Sequence, residues 1–249
     1  MRITVIGRSP AWQDAGGACS GYLVEHSGGA LLVDCGNGVF GKLRQACDHR
    51  AVGSVIVSHM HGDHILDLIP FSYALLYGPS RPEGRPKLFL PPGGLEVLRT
   101  ITGSFDSATL VEDAFEAVEY DPAGILVADG LEVEFQHVPH FVDAWALGIS
   151  DGGGRFVFGA DCGPNDELAV FARDAELLML EAAFAHDAEG GAGHLTPAEA
   201  GRIARDASAA RLVLTHASDC LDLVASREVA AREFGGPVEV AAEGSSWEL

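Results

Sequence analysis

Ser54-Val55-Ile56-Val57-Ser58 has the composition of a short buried strand, dominated by β-branched residues. It runs directly into His59-Met60-His61-Gly62-Asp63-His64, where three imidazoles and a carboxylate fall within six positions. Packing does not account for such crowding. Imidazole and carboxylate together suit zinc, manganese and iron. The pattern predicts donors on a loop at the mouth of a strand, held by a rigid scaffold, where catalytic groups are commonly placed. A centre with two metals is the expectation, and the rest of the chain must supply the missing donors.

It does so at the ends of other apolar runs. His140 follows Val133-Glu134-Phe135-Gln136-His137-Val138-Pro139, Asp161 follows Phe156-Val157-Phe158-Gly159-Ala160, and His216 follows Leu212-Val213-Leu214-Thr215. A lone histidine after a strand is more often a hydrogen-bonded loop residue. The same placement three times, beside a crowded His/Asp motif, points to ligation instead.

Strand-like runs fall at 2–6, 21–25, 30–34, 54–58, 87–90, 131–138, 144–149, 155–160, 177–181, 211–215 and 237–241, and helix-like runs at about 38–47, 66–77, 93–102, 165–173, 196–208 and 225–234. The helix after Thr196 has the clearest start. Thr196 can cap it, Pro197 suits its first position, and Glu199 completes a T-x-x-E box. Strands with interspersed helices in both halves suggest two mixed sheets packed face to face with helices outside, an α/β four-layer sandwich in one domain over 1–249. The Pro/Gly-rich stretch 78–86 is expected to be a surface loop.

Composition narrows the function. Hydrophobic residues are 47% and charged residues 21%, enough apolar material for a sizeable core in a globular protein. No apolar run approaches the roughly 18 residues of a membrane helix, and the first residues are strand-like rather than signal-like. Cytoplasmic location, without membrane attachment, is the expectation. Five cysteines, with no CxxC pair, indicate neither a disulfide framework nor a thiolate zinc site. A formal charge of −20 disfavours long nucleic acids, whose binders carry a basic face.

His59-x-His61-x-Asp63-His64, followed by His140, Asp161 in Phe-Gly-Ala-Asp and His216 in Leu-Thr-His, resembles the metallo-β-lactamase superfamily in order and spacing. Ala30-Leu31-Leu32-Val33-Asp34-Cys35-Gly36 resembles that superfamily's LLxDxG strand end. The resemblance implies an αβ/βα sandwich and a binuclear site. One metal would take His59, His61 and His140, the other Asp63, His64 and His216, with Asp161 and a water or hydroxide bridging them. Two divalent cations are implied, zinc foremost, with manganese or iron as alternatives. Such a pair lowers the pKa of bound water and neutralises charge that develops in the transition state. Asp34 either orients a ligand imidazole or forms the turn before Gly36.

Glu181 ends the apolar run Leu177-Leu178-Met179-Leu180, and a buried acid is costly unless paired. His194, in Gly193-His194-Leu195-Thr196, is the partner expected. A Glu–His pair could protonate a leaving alkoxide or stabilise a phosphorane-like transition state. This element resembles the phosphodiesterase branch that includes ribonuclease Z. Within it, the stretches 2–7, 20–24, 59–68 and 194–201 are most similar to the short actinobacterial cyclic nucleotide phosphodiesterases. Two positions depart from that family. Gly7-Arg8-Ser9-Pro10-Ala11 replaces a Gly-Cys-Ser-Gly-Ser-type loop, and Cys162 follows Asp161 where threonine is usual. Cys162 is expected to be a buried inert thiol, and His186 a candidate pocket residue. His26, His49 and His137 carry no expected role.

The expected activity is hydrolysis of small phosphodiesters, cyclic nucleotides foremost, with Asp63, His194 and Glu181 as catalytic candidates. Ribonuclease Z-type cleavage of tRNA 3′ ends is a rival, weakened by the charge and by the lack of a basic insertion between Leu147 and Glu181. Ester, lactone or lactam hydrolysis, or metal binding without catalysis, are the others. The apolar run Leu66–Tyr77 suits a core helix or a homodimer face.

Overall fold

The computed structural model describes residues 1–79, 84–185 and 193–249. In the first part of the chain the elements are β1 (Arg2–Gly7), β2 (Gly21–His26), β3 (Gly29–Val33), α1 (Val39–Ala46), β4 (Ser54–Ile56), α2 (Gly62–Ile65), α3 (Leu68–Tyr77), β5 (Lys87–Leu90), α4 (Gly94–Gly103), α5 (Leu110–Ala114) and β6 (Glu116–Glu119). The second part holds β7 (Leu126–Ala128), β8 (Leu131–Val138), β9 (Ala144–Ser150), β10 (Arg155–Phe158), α6 (Asp166–Phe171), β11 (Leu177–Glu181), α7 (Pro197–Asp206), β12 (Leu212–Thr215), α8 (Leu223–Phe234), β13 (Val238–Val240) and β14 (Ser246–Glu248).

Among the described residues these strands form two seven-stranded mixed sheets, ordered β14-β1-β2-β3-β4-β5-β6 and β13-β12-β11-β10-β9-β8-β7. In the first, β3 to β6 run parallel; in the second, β10 to β13 do. Strands covered on both faces read as continuous apolar runs. Leu177-Leu178-Met179-Leu180-Glu181 obeys this, with every residue buried. Its alternate side chains serve different layers. Leu177 and Met179 join Ile3, Tyr22, Val33, Ile56, Leu147, Phe156 and Val213 between the sheets. Leu178 and Leu180 face α6, α7 and α8 through Leu168, Ala200, Ala204 and Ala230. On the other side Leu32, Val55 and Leu88 pack under α1, α3, α4 and α5 through Leu43, Phe71, Leu98 and Val111. These are the four layers expected, the αβ/βα sandwich.

Several elements escape sequence reading for definable reasons. α2 and α5 are shorter than the span over which a helical period shows itself. β6, β7 and β14 are edge strands of three or four residues. The helix expected over 66–77 begins at Leu68, because the Asp67 amide is taken by the Cys35 carbonyl and its carboxylate accepts from Phe40 N at 2.8 Å. The motif loop itself winds into α2, held by Cys35 N donating to His64 O and Leu66 N to Gly62 O. Gly36 makes this approach feasible: a Cβ there would stand 1.8 Å from the Asp63 carbonyl oxygen. Among the described residues no helix is long and apolar enough to cross a membrane.

Candidate metal centre

The carboxyl ends of the parallel strands of both sheets meet at one edge of the sandwich. Asp34 follows β3, His59 lies just beyond β4, Asp161 beyond β10, Glu181 closes β11, and His216 follows β12. Crevices at such strand ends are where α/β sheets bind ligands. Three residues there hold left-handed backbone: Asp34 at φ 57°, Ala160 at 55° and His216 at 49°. Non-glycine residues in this region cost of order 1–3 kcal/mol each, and persist where the surroundings enforce them.

All seven predicted donors converge. His59, His61, His140 and Asp161 offer atoms within 4.8 Å of one another, and so do Asp63, His64, Asp161 and His216. Asp161 belongs to both sets. Its Oδ2 lies 3.9 Å from His59 Nε2 and from His140 Nε2 and 3.2 Å from His216 Nε2, and its Oδ1 lies 3.4 Å from His64 Nε2. Asp63 Oδ2 is 3.4 Å from His64 Nε2 and 3.8 Å from His216 Nε2.

The surrounding hydrogen bonds decide which ring nitrogens face inward. Asp34 Oδ2 accepts from Ser58 Oγ at 2.9 Å, so Ser58 Oγ is left to accept from His59 Nδ1 at 3.1 Å. Asp34 Oδ2 also accepts from His64 Nδ1 at 2.7 Å, and the Gly193 carbonyl accepts from His140 Nδ1 at 2.7 Å. Each of these rings spends its Nδ1 proton outward and turns the Nε2 lone pair toward the centre. His61 Nδ1 then sits 3.2 Å from His59 Nε2 and 3.0 Å from His140 Nε2. A single proton on His61 Nδ1 satisfies only one of these two acceptors well, whereas a cation among the three nitrogens serves all of them.

Two further observations fit a cation pair. Among the described residues His64 Nε2 is buried with no well-formed hydrogen bond, although the Asp63 and Asp161 carboxylates each stand 3.4 Å away. Burial alone would lower the His64 pKa, but the carboxylates of Asp161 and Asp34 hold it well above the usual imidazole value. The excess negative charge that does this is what a divalent ion neutralises. Burial pulls His59 well down and His216 to about 4, so both meet neutral pH as lone-pair donors.

Glu181 and His194 pair as the sequence suggests. His194 Nδ1 lies 3.0 Å from both Glu181 oxygens, and Glu181 Oε1 accepts from Cys162 N at 2.7 Å. The His194 ring stacks on His216, with centroids 5.9 Å apart and planes at 13°. It meets His140 edge-on at 4.9 Å. Burial pushes the Glu181 carboxyl up to about 7. Burial also opposes charge on His194, but the Glu181 carboxylate outweighs it and raises the imidazole above its usual value.

Cys162 is fully buried and its thiol is pushed well up by burial, so it is inert at neutral pH. His137 is exposed beside Asp143, His26 accepts from Gly28 N, and His49 packs edge-on to Phe71; none joins the centre. His186 lies outside the described residues.

Some contributors carry no sequence signal. Ser58 and Ser20, whose Oγ is 3.2 Å from His216 Nδ1, are ordinary serines until the fold places them. Tyr22 Oη and Thr215 Oγ1, 2.7 Å apart, join the two sheets below the site. Arg8 pairs with Asp14 at 3.0 Å and donates to the Ala217 carbonyl, next to His216.

A two-lobed His/Asp donor set on an αβ/βα sandwich defines a metallo-hydrolase of the β-lactamase kind. The chain belongs to this superfamily: residues 30–217 match the family described as Beta-lactamase superfamily domain. It is similar to the probable metallo-hydrolase YhfI of Bacillus subtilis (strain 168), 33% identical over 249 residues and covering all of both chains. The crystal structure of YhfI superposes with a TM-score of 0.90 at 31% identity, over 99% of this chain and 98% of that one. A ribonuclease Z of Myxococcus xanthus (strain DK1622) is 28% identical over 306 residues, spanning all of this chain and 98% of its own.

Proposed function

We propose that this chain is a metal-dependent phosphodiesterase for small phosphodiesters, with 3′,5′-cyclic nucleotides as the first substrates to consider. The observation that carries the reading is the Glu181–His194 pair, held at 3.0 Å beside the donor set. Two metal ions bound by His59, His61, His140, Asp63, His64, His216 and Asp161, zinc foremost and manganese or iron as alternatives, would supply Lewis acidity and an activated water. His194, charged through its carboxylate partner, donates a proton to the departing oxygen or holds the charge that builds on it. Glu181 fixes the ring's orientation and keeps its proton available at neutral pH. Asp63 contributes as a donor and as a charge facing the reacting group.

The alkoxide that leaves phosphorus needs a proton donor beside the metals, and the pair is placed to act as one. The acidic charge of −20 favours small substrates over polynucleotides. The similarity to a ribonuclease Z across the full chain keeps tRNA 3′-end cleavage as the second reading. The purified, metal-loaded protein should turn over 3′,5′-cyclic AMP and bis(p-nitrophenyl) phosphate and lose both activities with a chelator. Turnover of neither overturns the proposal, and cleavage of precursor tRNA in its place supports the rival.

A further inference from the structure

Phe141 is 65% exposed, and it stands in the β8–β9 loop directly after the donor His140. Scattered surface aromatics are ordinary. This one is placed. Its ring centroid lies 5.2 Å from that of His140 and 5.7 Å from that of His194. It is also seated: Gly193, at φ +98°, leaves room for it, and a Cβ there would come 3.0 Å from Phe141 Cε2. The same Gly193 accepts the His140 hydrogen bond at 2.7 Å, so ring, glycine and donor are tied together. Phe184 meets the His194 ring edge-on at 5.6 Å. An uncharged aromatic rim therefore borders the proposed proton donor, with one broad ring open to water.

We propose that Phe141 stacks on the heterocyclic base of a nucleotide substrate. The inference rests on the phosphodiesterase reading, since it assumes a phosphate seated over the donor set. From there the rest of a nucleotide extends past His194, and the surface it meets on this side is a flat apolar ring. Short alkyl esters gain little from such a face, whereas every base has a broad π-face to lay on it. The contact favours nucleotides as a class and distinguishes poorly among bases.

The test compares adenosine 5′-monophosphate with ribose 5-phosphate, binding each to the metal-loaded protein by calorimetry. Wild type should bind the nucleotide more tightly. Phe141→Ala should weaken it about tenfold, the loss of one stacked base, while ribose 5-phosphate and metal content stay unchanged. Phe141→Trp should keep wild-type binding. Equal affinity of wild type for the two ligands overturns the proposal, as does an alanine variant that weakens both alike or neither. Cyclic AMP turnover is measured in the same preparation. Base-dependent binding without turnover counts against the phosphodiesterase reading alone, and turnover without base-dependent binding counts against stacking alone.

Discussion

Asp34 Oδ2 accepts a 2.7 Å hydrogen bond from His64 Nδ1, and both side chains are fully buried. The same carboxylate accepts from Ser58 N at 2.8 Å and from Ser58 Oγ, which in turn orients His59. One acid thus fixes an imidazole in each half of the donor set. Asparagine is the appropriate probe, because it tolerates the left-handed backbone at φ 57°. Asp34→Asn places an amide donor among groups that need an acceptor. Zinc affinity should fall about 10- to 100-fold, the usual cost of losing a group that orients a ligand imidazole. Competition with a chromophoric chelator measures it, and wild-type affinity would refute the orienting role.

Glu181 and His194 set a pH dependence whose sign can be worked out. With Nδ1 held by Glu181, the His194 imidazole must be charged to give up a proton. The Glu181 carboxylate raises His194 above its usual value against the opposing pull of burial. In the wild type kcat should therefore hold through neutral pH and fall as pH rises past the raised His194 value. Glu181→Gln removes the charge that raises it, so the fall should move to lower pH. His194→Ala should lower kcat about 100-fold or more, in the range of a lost general acid, with metal content unchanged. An alkaline limb that does not move in Glu181→Gln would overturn the coupling.

Metal removal should cost stability as well as activity. His59, His64, His216 and Asp161 are almost completely buried, and without cations their charges and lone pairs face one another. Ions that bind only the folded state stabilise it by about 1.4 kcal/mol per tenfold rise in concentration above Kd. For a chain of this size each kcal/mol moves Tm by roughly 2–4 °C. Thermal unfolding across a zinc, manganese and iron(II) series should show Tm rising with concentration, most steeply for the ion that binds best. A Tm indifferent to chelator would show that the cluster does not load.

How much of this was legible in the sequence depends on where the information lies. The donors were visible because imidazoles and carboxylates that repeatedly end apolar runs are costly to place there unless they bind something. The layered fold followed from strand and helix order, and the T-x-x-E box is realised with Thr196 accepting from Glu199 N and Glu199 Oε2 accepting from Thr196 N at 2.8 Å. Asp34 could be read two ways, as a turn-former or an orienting partner, because nothing local separates them; the fold supplies the contact to His64, thirty residues away. Ser20, Ser58 and Phe141 gave no signal at all. Their part depends on strands distant in sequence ending side by side, which no local period encodes.

Arg8 replaces the small residues expected in the first loop, and its contacts predict a lopsided effect on the centre. The guanidinium holds the buried side of Asp14 at 3.0 Å and the carbonyl of Ala217. Asp14 Oδ1 accepts from Asp219 N at 3.0 Å. This clamp spans 217–219, directly after His216 in its left-handed conformation. Arg8→Met keeps the apolar stem but leaves Asp14 largely buried without its cation. Hydrogen bonds to charged groups contribute about 1.5–3 kcal/mol, and stability should fall by that order. The metal site that uses His216 should weaken, while the set of His59, His61 and His140, on other loops, keeps its affinity. Titration with zinc should then resolve one tight and one weakened site where the wild type fills both. Equal weakening of both sites, or of neither, would refute the clamp's role in holding His216.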